Sequence, residues 1–119
     1  MEDVVSDIRL KRIYEPAAAN DGTRVLVDRL WPRGLPKSKA EIDLWLKEIA
    51  PSGALRQWFG HDPRRWSEFR KRYKAELASA SEELKRLRHL ARQGRLTLLY
   101  GARDGEHNQA VVLKEVLSH

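Results

Sequence analysis

The sequence predicts an α/β layered domain: a small central sheet, mixed or parallel, flanked by helices. Three observations carry that expectation. Short segments of strand character, residues 8–13, 24–28 and 96–100, alternate with segments whose apolar residues recur at helical spacing. Val25-Leu26-Val27 is a continuous apolar run, as in a strand buried on both faces, and LTLLY also reads as a buried strand. The chain also closes on a strand, a loop and a helix.

Each element follows in order. IRLKRI alternates apolar and polar residues and reads as a strand. EPAAANDGTR is a loop, with Asp21-Gly22 its strongest turn cue. RVLVD is the second strand. Residues 38–50 are ambiguous: Ser38 and Glu41 fit a capping box and Ile42, Trp45, Leu46 and Ile49 a helix face, yet Leu44 and Leu46 also alternate with polar neighbours. Pattern alone favours helix. Ser52 suits the cap of a helix facing inward through Leu55, Trp58 and Phe59. GHDP breaks it; Asp62 caps the next, with Pro63 at its first position and Trp66, Phe69, Tyr73 and Leu77 along one side. A further helix starts at Ser81, buries Leu84, Leu87 and Ala91, and stops at Gly94. LTLLY is the third strand. NQAVVLKEVL is the closing helix, with Ala110, Val111 and Leu117 on or near its inner face.

Composition narrows the classes of function. The 119 residues suit one domain, with residues 1–7 as a tail. The 41% hydrophobic and 34% charged fractions fit a soluble globular chain, and four tryptophans argue against disorder. No apolar run approaches the roughly 20 residues of a membrane span, and MEDVVSDIRLKR shows no secretory leader. No membrane partner and a cytoplasmic location are therefore expected. The absence of cysteine excludes disulfides, thiolate nucleophiles and cysteine metal sites. His61, His89, His107 and His119 form no HxH or HxxxH pair, so no metal site is expected. The net charge of +6 points to nucleic acid or to an anionic small molecule.

Two strand ends carry the residue types of a site. Ligands of open α/β sheets bind beyond the carboxyl ends of the strands. One strand here ends in Asp28, Arg29, Trp31 and Arg33, the other in Arg103, Asp104, His107 and Asn108. If the strands are parallel neighbours, these groups converge near the N-terminus of the closing helix, whose dipole and free N–H groups favour an anion. Arginine grips phosphate or carboxylate with two bonds. Arg29, Trp31, Arg33, Arg103, Asp104 and Asn108 are thus candidate binding residues. His107 and Asp28 are candidate catalytic residues, His107 because imidazole exchanges protons near neutrality. The competing reading makes Asp28 a structural ion-pair partner, Trp31 a core plug and Asp104 the cap of the last helix. His61 is expected nearer the core, in a structural hydrogen bond.

The segments KRIYEP, RVLVDRLWPRG, APSGALRQWFGHDP and LLYGARDGEHNQA closely resemble the YeaO-like branch of the bacterial family called domain of unknown function 488, across residues 8–117. The resemblance implies a compact α/β fold. It turns the ambiguous segment into a short helix at 38–42 and a strand at 44–48, making about four strands in all. Other branches carry a cysteine near the strand end that corresponds to Tyr100; this chain has none, so the resemblance implies no thiol chemistry here. Neither the residues nor the resemblance identifies a cofactor.

Three functions compete. The favoured one is a site for an anionic or phosphate-bearing small molecule at the strand ends, with enzymatic turnover left open. The second is a nucleic-acid-binding module using the basic helix at 63–78, whose densest basic stretch is 64–74. The third is a non-catalytic accessory binding protein. The oligomeric state is not legible in the sequence.

Overall fold

Alternation along the strands sorts the core into two unequal faces. The computed structural model describes residues 7–118. Its strands are β1 (Ile8–Arg12), β2 (Thr23–Leu26), β3 (Leu44–Trp45) and β4 (Leu96–Tyr100), and its α-helices are α1 (Lys37–Ala40), α2 (Gly53–Phe59), α3 (Trp66–Leu77), α4 (Ser81–Gln93) and α5 (Gln109–Leu117). The sheet is four-stranded in the order β1-β4-β2-β3, and every pairing is parallel. On one face Ile8, Val25, Leu96, Leu98 and Tyr100 pack against the buried sides of α2 to α5. On the other, Ile13, Leu26 and Leu99 are covered by Trp31, Leu35, Ile42 and Trp45. Helices thus flank one face fully. The other is closed by the 30–43 segment, in which α1 is a single turn.

A parallel sheet needs a crossover between neighbours, and this one leaves β2 and β4 side by side at its centre. Both are buried on both faces, which explains their largely apolar sequences, Arg24 and Thr97 being the buried polar exceptions. The helices start where their sequences allow. Ser52 Oγ accepts the Leu55 N–H at α2, and Asp62 accepts the Arg64 N–H at a 3-10 turn, Pro63–Arg65, that runs into α3. The buried Tyr73 hydroxyl on α3 donates to the Ile49 carbonyl at 2.6 Å, tying the helical layer to the chain beyond β3.

The segment 38–50 departs from its sequence pattern. The helix that its periodicity favours is absent: α1 covers only Lys37–Ala40, β3 only Leu44–Trp45, and a 3-10 turn follows at Lys47–Ile49. The strand expected at 44–48 is accordingly short. Ser38 and Glu41 form no capping box. The residue capping α1 is Pro36, which makes no side-chain cap, and Glu41 ends the helix in left-handed backbone at φ 49°. The reason lies in β2. The Arg24 N–H donates to the Asp43 carboxylate, Asp43 N–H to the Arg24 carbonyl, and Leu46 N–H to the Leu26 carbonyl. Edge pairing with β2 overrides the helical period. On α5, Val112 and Leu113 are buried with Ala110 and Leu117, whereas Val111 is half-buried.

The tail expected over residues 1–7 lies outside the described residues except for Asp7. There the carbonyl accepts the Leu96 N–H and the carboxylate pairs with Arg9 and Arg95. No described helix is long and apolar enough to cross a membrane.

Candidate functional site

Asp28 is the residue around which the strand ends are organised. Leu26 pairs with Leu99 in parallel register, so the loops after β2 and β4 leave the sheet together. One Asp28 oxygen accepts the Gly101 N–H at 2.9 Å; the other accepts from Gln109 Nε2 at the start of α5. Gly101 makes the first contact possible, because a Cβ there would stand 2.8 Å from the carboxylate. Burial pushes the Asp28 carboxyl up to about 6, against the pull of those two donors and of the Arg56 and His61 charges. Asp28 has no salt-bridge partner among the described residues, so it is not the structural ion pair that the competing reading envisages.

The residues singled out in the sequence do converge, but they play different parts. Arg29 donates through Nε to the Pro51 carbonyl and through Nη2 to that of Ala50, both at 3.1 Å, and so staples the start of α2. Trp31 donates to the Leu35 carbonyl at 2.7 Å and meets Trp45 edge-on at 5.3 Å. It is both a plug over the second sheet face and a wall of the cleft. Arg33 and Arg103 are exposed at the cleft mouth. Asp104 gathers the Glu106 and His107 N–H groups and holds His107 Nδ1 at 2.8 Å. The Glu106 N–H foremost, then the imidazole, lowers its carboxyl below the ordinary range. His107 is thereby oriented, edge-on to Trp66, with Nε2 making no further bond among the described residues.

Asn108, not Asp104, caps α5. Its Oδ1 accepts the Ala110 N–H at 2.9 Å and the Val111 N–H at 3.3 Å, and its Nδ2 donates to the Asp104 carbonyl. Two of the N–H groups expected to face an anion are therefore occupied by the protein itself. Asn108→Ala should cost about 1–2 kcal/mol, measured by urea denaturation, because two helix N–H groups lose their acceptor at a buried position.

The structure adds residues that the sequence reading passed over. His61 is exposed, lines the cleft and makes no hydrogen bond among the described residues, contrary to the expectation of a core contact. Its backbone is left-handed at φ 57°, directly after Gly60 at φ 53°. Arg56, Gln109, Tyr14 and Arg12 join it. Gln109, next to Asn108, and the Gly60-His61 turn could have been suspected from sequence; Arg12, Tyr14 and Arg56 lie far along the chain from the two strand ends. Tyr100, at the end of β4, is buried, which raises its hydroxyl above the usual phenol range.

These groups enclose two adjoining chambers. The inner one, about 370 Å³, has Asp28 and Gln109 among its polar groups and Trp31, Pro32, Phe59 and Phe69 among its apolar ones. The outer one, about 650 Å³, is lined by Arg12, Arg33 and Arg103 with Asp104. Tyr14, Arg33, His61, Gly101 and Ala102 border both. Among the described residues no group of three or more His, Asp or Glu side chains is placed to hold a metal ion.

A parallel α/β domain with a cleft at its central strand ends is the class that fold and site define. Residues 7–119 match the family described as "Inactive DUF488-N3 subclade", and the chain belongs to that family. It is 47% identical over 111 residues to the uncharacterized protein YeaO of Escherichia coli K12, covering 93% of this chain and 96% of that protein. Uncharacterized proteins of Mycobacterium bovis and of Mycobacterium tuberculosis H37Rv are each 40% identical over 111 residues, 93% of either chain. No solved structure matches at a significant level.

Proposed function

We propose that the domain binds a small anionic molecule in the cleft at the carboxyl ends of β2 and β4. One observation carries the reading. Arg12, Arg29, Arg33, Arg56 and Arg103 line the cleft, and none has a carboxylate within 4.0 Å among the described residues. Elsewhere Arg9, Arg24, Arg64, Arg65, Arg70, Arg72 and Arg95 all have one, and Arg86, Arg88 and Arg92 on α4 have none among the described residues. Unpaired guanidinium groups around a concavity are the ordinary means of holding phosphate or carboxylate. The family's description as inactive supports binding without turnover.

Enzymatic turnover is the second reading. What favours it is a carboxyl held near 6 in the same cleft as an oriented imidazole, a combination suited to proton transfer. Consumption of a phosphate ester that disappears in both Asp28→Asn and His107→Gln would establish it. The nucleic-acid reading has less support. The basic residues of the 63–78 helix are largely neutralised within the protein: Arg64 and Arg65 by Asp62, Arg72 by Glu68, Arg70 and Lys74 by Glu115.

A thermal-shift titration tests the anion site. A ligand at 100 times its Kd adds about 2.7 kcal/mol of stability, which for a domain of this size raises Tm by roughly 10 °C or more. Phosphate or a phosphate ester should give such a shift, and the Arg33→Ala/Arg103→Ala variant should lose it while melting normally without ligand. Equal shifts in the variant would remove the proposal.

A further inference from the structure

The two chambers differ in chemistry, and the difference specifies the shape of a ligand. The outer chamber offers three guanidinium groups, of which Arg12 spends its Nε on the Gly101 and Ala102 carbonyls, and its one carboxylate, Asp104, is already bonded to His107. The inner chamber has aromatic and proline walls around a carboxylate floor. At neutral pH that carboxylate opposes an anion coming close to it. Of the cations that also line this chamber, Arg29 is committed to the Ala50 and Pro51 carbonyls, Arg33 is shared with the outer chamber, and Arg56 and His61 offset part of the Asp28 charge.

The floor also has a hydrogen-bonding sense. Gln109 spends its Nε2 on Asp28, and its Oε1 has no partner among the described residues. Asp28 oxygens accept one bond each from the protein and have lone pairs to spare. The Asp28–Gln109 edge of the inner chamber therefore presents acceptors, and it suits a group that donates.

We infer that the cleft takes a two-part ligand: a phosphate or carboxylate group among Arg12, Arg33 and Arg103, joined to an uncharged ring that enters the inner chamber and offers an N–H or O–H donor to Asp28 and Gln109. This rests on the anion-site reading above and names the ligand class for that site. The inner volume of about 370 Å³ falls within the range of small-molecule pockets and accommodates a single ring.

A graded series of probes tests it by calorimetry at pH 7.5: inorganic phosphate, phenyl phosphate and 4-aminophenyl phosphate. Phenyl phosphate should bind at least tenfold tighter than phosphate, because its ring leaves water for an apolar enclosure. The amino compound should gain several-fold more. Gln109→Leu should narrow the gap between the two aryl esters. The Arg33→Ala/Arg103→Ala variant should weaken all three alike. Equal affinity for phosphate and phenyl phosphate would overturn the two-part ligand while leaving the anion site standing. Tighter binding of phenyl phosphate without any gain from the amino group would overturn the donor assignment. Failure of all three to bind at 10-millimolar levels, about the weakest affinity of interest, would overturn the site itself. If Gln109→Leu does not fold, the wild-type series still decides.

Discussion

Asp28→Asn is expected to stabilise the protein at pH 7.5 by about 2–3 kcal/mol and to leave it nearly unchanged at pH 4. Burial raises the Asp28 carboxyl from its ordinary 3.8 to about 6, so the folded protein holds this proton more tightly than the unfolded chain does. Each unit of such a difference is worth about 1.4 kcal/mol. Below about 4 both states are protonated, and the uncharged carboxyl costs the fold little. As pH rises through 6 the folded state must bury a charge, and the full penalty applies above that. Asparagine keeps the shape and an acceptor for the Gly101 N–H but removes the charge. Urea denaturation of both proteins between pH 4 and 8 measures the gap, and the other titrating groups cancel in the difference. A gap constant across that range would show that Asp28 does not ionise in a buried setting.

The second large effect lies at the opposite end of the sheet. Asp21→Ala should destabilise by about 3–5 kcal/mol. Asp21 and Arg24 are only 7% and 6% exposed, and the Asp21 carboxylate accepts from Arg24 Nη1 at 2.5 Å, from Lys11 Nζ and from the Ala18 N–H. Burial opposes ionisation of this carboxyl, but the Ala18 N–H and the two cations outweigh it and hold it at about 2. Removing it strands the Arg24 guanidinium in the interior, with only the Ala40 and Glu41 carbonyls for partners. The pH dependence is opposite to that of Asp28. The stabilisation is present above about 3.8 and is lost as pH falls through 2. Taken by themselves, the two groups favour the fold most near pH 4, where in the folded state Asp28 is still protonated and Asp21 is ionised. A loss in Asp21→Ala no larger than that of an exposed pair such as Glu68–Arg72 would contradict this account.

Much of the site was legible because strands impose it. Once RVLVD and LTLLY are taken as buried parallel neighbours, Asp28, Arg29 and Trp31 must share an edge with Arg103, Asp104 and His107. What each does was not legible. Asp28 could be an ion-pair partner or an isolated carboxylate, and the choice depends on Gln109 and Gly101, which approach it across more than 70 residues of chain. Arg29 and Asn108 look like ligand contacts in sequence, yet they spend their polar atoms on the protein's own backbone. Arg56 and His61 lie on α2 and its exit turn, and no local pattern shows that this turn faces the strand ends.

By itself the sequence determined the α/β class, the helices from residue 53 onward, their caps at Ser52 and Asp62, the two central strands and the family resemblance. These rest on short-range physics: apolar periodicity, capping side chains and turn residues within a few positions of one another. Only the tertiary structure decided the fate of residues 38–50 and the composition of the cleft. Backbone bonds from β2 hold Asp43 and Leu46 and break a helical period that the segment would otherwise follow. Side chains from β1, the β2 loop, α2 and α5 meet at one sheet edge because four parallel strands bring them there. Those contacts span long stretches of chain, and their energies exceed the local preferences on which a sequence reading relies.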